Sequence, residues 1–203
     1  MPNSFSGNAK PRDRYHHGDL RAGLIRVGIT QLEASGPESL SLRGLARLLA
    51  VSASAPYRHF PNRALLLEAI AVEGYHRLTD LLTRPDLQVG DGAQRILAFA
   101  HEHPGWWQLM AGASADAGSD LEGARGEFLG ELVGLVERQS GTADPEEAIR
   151  LAVAVWAAVL GLAQLQAGGG MALLDDALYP AANELADALV SGRRLGGAGG
   201  RRR

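Results

Sequence analysis

The chain has 203 residues, 46% of them hydrophobic, which is enough to bury a real core and excludes a chain disordered throughout. It has no cysteine, which excludes disulfides, thiolate zinc sites and cysteine nucleophiles and fits a reducing compartment. Residues 1–63 carry nine Lys/Arg against four acids and residues 64–203 eleven against nineteen, so a basic head precedes an acidic body and a polyanionic partner is expected for the head.

Residues 1–15 read as a flexible basic arm, without the apolar core of a signal peptide. A first helix is predicted over about 19–34, where Leu20, Leu24, Val27 and Leu32 form a stripe widened by Ile25 and Ile29. The run "SGP" at 35–37 stops it. Ser41 then caps the short helix "LRGLARLL", with Leu42, Leu45, Ala46 and Leu49 on its apolar face, and Ser52 is expected to cap a shorter helix over 53–59. Asn62 caps a long helix to about Leu82, where "TRP" breaks it. Five more helices are predicted at 90–102, 104–112, 119–139, 144–167 and 172–191, divided by Pro104, "GASADAGS", "SGTADP" and "AGGG". Residues 193–203, ending "GGAGGRRR", read as a disordered tail. Strand signals are almost absent, so the fold class is all-α with about nine helices.

Two short helices joined by "AVS" outline a helix-turn-helix, in which the second helix enters the DNA major groove. The small residues of "VSASAPYRHF" let the backbone approach the groove. Ser52 and Ser54 can bond phosphates or bases, and Ala53 or Ala55 can touch a thymine methyl. Pro56 is tolerated in a first turn, where most backbone N–H groups lack helical partners. Tyr57, Arg58 and His59 are long polar groups suited to phosphates, and Phe60 anchors the segment to the core. An ordinary helical hairpin with a solvated polar end has the same spacing; the charge asymmetry speaks against it.

The run from "YHHGDLRAGLI" through "SLRGLARLLAVSASAPYRHFPNRALLLEAI", about residues 15–72, resembles the DNA-binding head of the TetR family of bacterial transcriptional regulators. The resemblance implies a three-helix DNA-binding head over 16–62 and a helical ligand-binding and dimerisation body over 63–192. It implies phosphate contacts for Ser41 and Arg43, base reading by Ser52, Ala53 and Ser54, and backbone contacts by Tyr57 and His59 through the pattern Tyr-x-His-Phe. Arg63 matches a basic position at the next helix N-terminus, where charge and helix dipole both favour phosphate. Ala50 stands where many relatives carry glycine, in a left-handed conformation that costs a non-glycine residue about 1–2 kcal/mol.

Adjacent His16 and His17 point apart on a helix, and no His-x₃-His pair supports them with Asp19, so no metal is expected there. His101, Trp106, Trp107 and Met110, from "FAHEHPGWWQLMAG", are candidate pocket residues together with Phe128 and Trp156. Aromatic residues at this density also suit a core; the resemblance implies a ligand cavity, which needs apolar walls with a few polar groups. The body also resembles a subset of these regulators with a Trp…His-Gly pattern, in which Trp156 and Gly161 remain and Leu160 stands for the histidine. The run "LAVAVWAAVLGLA" is shorter than the about 20 residues a bilayer needs, so no membrane partner is expected. A helix apolar nearly all round must be covered nearly all round, either at the centre of one body or by a partner subunit. Dimerisation through 144–167 and 172–191 is the expectation.

No nucleophile elbow, P-loop, dinucleotide fingerprint or paired-carboxylate site is visible, so no catalytic residue and no cofactor is expected. The expected function is that of a cytoplasmic, homodimeric DNA-binding regulator, a repressor on a palindromic operator of double-stranded DNA, released by a small-molecule effector. The alternatives are a ligand-independent regulator of the same fold, and a helical enzyme or carrier.

Overall fold

In the computed structural model the described residues are 20–113, 119–167 and 175–192. The expected arm over 1–15, the His16–His17–Asp19 entry and the tail over 193–203 lie outside them. Among the described residues eight α-helices follow one another: α1 (Leu20–Ser35), α2 (Leu42–Leu48), α3 (Arg63–Leu82), α4 (Val89–Glu102), α5 (Pro104–Gly112), α6 (Asp120–Ser140), α7 (Pro145–Ala167) and α8 (Asp175–Ser191). No strand occurs among the described residues.

Local chemistry sets the boundaries. Ser41 Oγ accepts the Gly44 amide at 3.1 Å to start α2, and Asn62 Oδ1 accepts the Leu65 amide at 2.9 Å to start α3. Pro104 follows His103, which closes α4 and opens α5 with φ −128° and ψ 58°. The ninth expected helix differs. Residues 55–58 form a single 3-10 turn, and its N-cap is Ser54 rather than Ser52. Pro56 has no N–H to give the Ser52 carbonyl, as an α-helix would require; that carbonyl instead accepts the Ala55 amide at 3.0 Å. Ser52 Oγ lies 3.3 Å from Ser54 Oγ.

One apolar core runs from Leu20 in α1 to Val190 in α8. Ile70 of α3 reaches into the head: a Cβ on Gly28 would lie 2.8 Å from Ile70 Cδ1 and 3.8 Å from Leu45 Cδ1. The start of α4 is held from two other helices. Gln139 of α6 accepts the Val89 amide at 2.7 Å, and Asp187 of α8 accepts the Gly90 amide at 3.1 Å.

α7 is long and apolar enough, by length and composition, to cross a bilayer. Its inner stripe, Ala148, Ala152, Val155, Val159 and Ala163, packs against α4, α6 and α8. The opposite stripe is open: Ile149 is 51% exposed, Val153 54% and Leu165 47%, with Ala157 and Gly161 exposed between them.

Candidate nucleic-acid interface

The turn into the candidate recognition segment is a Schellman closure of α2. The Val51 amide donates to the Ala46 carbonyl at 3.0 Å and the Ala50 amide to the Arg47 carbonyl at 3.2 Å. Such a closure puts the residue between them in the left-handed region, and Ala50 has φ 53°. Among the described residues it alone does so without being glycine.

Beyond the turn the side chains divide sharply. Pro56 and Phe60 are buried, one helical turn apart, and fasten the segment to the head. Ser52, Ala53, Ser54, Tyr57, Arg58 and His59 are all exposed. The Arg21 guanidinium of α1 lies 5.4 Å from the Phe60 ring centroid, a cation–π contact that holds the base of the segment. Arg43 is exposed on the first turn of α2, beside Ser41, whose hydroxyl oxygen is occupied as a cap.

Arg63 is oriented otherwise. Its Nε donates to the Leu40 carbonyl at 3.0 Å and one Nη to the Pro37 carbonyl at 2.5 Å, with Glu38 at 3.7 Å. The guanidinium therefore staples the start of α3 to the link between α1 and α2. Nothing in its position along the chain signals this, because the acceptors are backbone carbonyls more than twenty residues away.

The charge division survives folding. Residues 20–63 hold six arginines against Glu33 and Glu38, whereas the described residues after 63 hold six arginines against eighteen acids. A polyanion is attracted to the first set and repelled by the second.

The candidate pocket residues fall into two groups. Trp107, Met110, Phe128 and Trp156 come together with Tyr75; the Trp156 ring lies 4.8 Å from Phe128 and 5.9 Å from Trp107. The space left between Tyr75, Trp107, Met110 and Trp156 is about 10 Å³, the room of a single water at most. Trp106 belongs to a second group with Phe99 at 5.5 Å and His103 at 5.9 Å, and its Nε1 donates to the Ile70 carbonyl at 2.9 Å. His101 is exposed on α4 and joins neither, because the helix turns it away from the faces that Phe99 and His103 occupy.

Two features went unread in the sequence. Glu33 of α1 accepts the Trp106 amide at 2.9 Å, and a Cβ on Gly105 would lie 2.9 Å from the Leu32 carbonyl oxygen. The end of α1 and the start of α5 thus touch backbone to backbone. The second is an opening of about 520 Å³ between α3 and α4, with Trp106 and His103 among its walls. Its one sequence signal is the i, i+4, i+7 spacing of Arg95, Phe99 and Glu102 on one face of α4.

Residues 91–190 match the family model described as "Tetracyclin repressor-like, C-terminal domain". A protein of unknown function from Rhodococcus sp. RHA1 is 31% identical, with 89% of this chain and 98% of that one covered and a TM-score of 0.71. A TetR protein from Acinetobacter baumannii AYE, solved in complex with minocycline, shares the fold at 23% identity, with 83% and 93% covered and a TM-score of 0.61. An HTH-type transcriptional regulator of Mycobacterium tuberculosis is 31% identical over 46% of this chain. The match spans only 44% of that relative's length.

Proposed function

We propose a function from one premise: this chain belongs to the TetR family of helical transcriptional regulators. On that premise it is a sequence-specific DNA-binding regulator rather than an enzyme, acts in the cytoplasm as a homodimer, and represses from a palindromic operator until a small molecule binds the body. The observation that carries the reading is the exposed edge of Ser52, Ala53, Ser54, Tyr57 and His59 on a buried Pro56–Phe60 base, within the basic part of an otherwise acidic chain. Short side chains at its start allow close approach to base edges, and the longer ones at its end reach phosphates. Ser41 and Arg43 flank it from α2. Arg63 supports it from behind by fixing the link that carries α2.

The dimer reading is supported by the open face of α7. An open stripe of Ile149, Val153, Ala157, Gly161 and Leu165 repeats every four residues, so it forms a ridge that winds across the outward side of the helix. A second copy covers it symmetrically, with α8 alongside. Two heads then read half-sites about one helical turn apart, roughly 34–36 Å, or a multiple of it.

Repression released by a ligand is coupling between two sites: a molecule that prefers a body conformation with badly spaced heads weakens DNA binding, and DNA weakens its binding in return. One alternative has a specific observation in its favour. The packed cluster around Trp156, with about 10 Å³ left in it, suits a regulator that needs no ligand there.

Selection of bound sites from random duplexes tests the central reading. A palindromic consensus is expected; absence of enrichment over the starting pool would remove it.

A further inference from the structure

The opening between α3 and α4 is a candidate site of its own. At about 520 Å³ it falls in the range of small-molecule sites, whereas the Trp156 cluster is filled. Its apolar wall comes from Leu81 of α3, Ala98 and Phe99 of α4, and Trp106 of α5. The rings of Phe99, His103 and Trp106 lie within 5.0 to 5.9 Å of one another at one end.

The charges along it are not balanced in effect. Arg77 is paired with Glu73 at 3.5 Å. Asp80, Arg95 and Glu102 have no ion-pair partner among the described residues, which leaves two carboxylates against one guanidinium. Glu102 adjoins His103 in sequence and lies one helical turn beyond Phe99, and it lines the cleft together with His103 and Trp106; Arg95 lies one turn before Phe99. Aromatic faces attract cations, and a carboxylate beside them adds to that attraction. The strongly acidic composition after residue 63 favours the same sign.

From these observations we infer that the α3–α4 cleft binds an amphipathic organic cation, its apolar body against Phe99, Leu81 and Trp106 and its ammonium group toward Glu102, with Asp80 as the second acid. Its action as an effector rests on the regulatory reading above; its binding does not. Trp106 is also the residue whose main-chain amide donates to Glu33 of α1, so an occupant of the cleft packs against a residue that joins head and body.

The test uses the full chain and three probes on one naphthyl body: 2-naphthylmethyl-trimethylammonium, its uncharged carbon isostere 2-neopentylnaphthalene, and 2-naphthylacetate. Calorimetry and tryptophan fluorescence are expected to show the cation binding about tenfold more tightly than either of the others. Glu102→Gln and Asp80→Asn, both at exposed positions, are expected to weaken it about three- to tenfold with the thermal transition unchanged. Equal binding of the three probes, no binding of the cation at millimolar concentration, or affinity untouched by both variants would each overturn the proposal. Binding with the expected charge preference but no change in operator affinity upholds the site and refutes its regulatory role alone.

Discussion

Ala50 bears a backbone cost that its position imposes. The Schellman closure needs a left-handed residue at that point, and a Cβ there costs about 1–2 kcal/mol. Ala50→Gly is therefore expected to stabilise the chain by about 1 kcal/mol, raising its melting temperature by about 2–4 °C in a calorimetric scan. An unchanged or lower melting temperature would mean that the turn is relaxed with alanine. The two arginines flanking the candidate interface separate in the same way. Arg43→Ala removes an exposed cation, so the slope of log affinity for DNA against log salt should fall by about one unit with stability unchanged. Arg63→Ala instead breaks bonds to two head carbonyls, and at 39% exposure of that side chain about 1 kcal/mol of stability is expected to go with them, read as a lower urea midpoint. A full-unit change of salt slope with no loss of stability in Arg63→Ala would show that it faces phosphate instead. The Ala50 conformation was legible because turn chemistry is local. The bonds of Arg63 were not, because a flexible side chain chooses among distant acceptors that only the fold brings near.

At the scale of elements, caps and breakers carried most of the reading. Ser41, Asn62 and Pro104 each fix a boundary through one local bond or one missing donor, and α2, α3 and α5 begin where those residues put them. The segment after Ser52 went otherwise, since a proline three or four residues into so short a helix removes a large share of its α-type bonds. What no local signal encodes is the contact of one helix end with another. The joint between α1 and α5 depends on Gly105 lacking a Cβ and on Glu33 reaching the Trp106 amide. Gly105→Ala should push the two backbones apart and destabilise by about 1–3 kcal/mol, as overpacking does elsewhere. Hydrogen exchange at the Trp106 amide is the matching measurement, with faster exchange expected in Gly105→Ala and in Glu33→Ala. Unaltered protection in both would show that the joint is held by packing elsewhere. The candidate pocket was legible as a set of aromatic residues and no further, because sequence spacing does not reveal whether rings enclose space or fill it.

For the whole molecule, the proposed assembly turns on the open face of α7. Val153→Arg puts a charge at the middle of the exposed stripe, at a position already 54% exposed, so the monomer fold should survive while association weakens. Sedimentation at micromolar concentration is expected to give a dimer for the parent chain and monomers for the variant, with binding to a two-half-site duplex reduced more than a hundredfold, or about 2.7 kcal/mol. A parent chain that sediments as a monomer would leave the stripe without that role. Within the chain the arrangement of Ile70 has a practical corollary. Its side chain closes against Gly28 of α1, where Leu45 of α2 also arrives, so α3 is part of the wall of the head even though it leads into the body. A head excised or exchanged at residue 62 would lose that wall, whatever is attached downstream. A graft made beyond Leu82 keeps the Ile70 wall but gives up the α1–α5 joint, while a graft made at Asn62 loses both and must find a foreign helix with an isoleucine in register. Recombination between relatives of this fold meets the same constraint, so the portable unit is set by the packing of α3 and α5 on the head and not by the boundary of the helix-turn-helix.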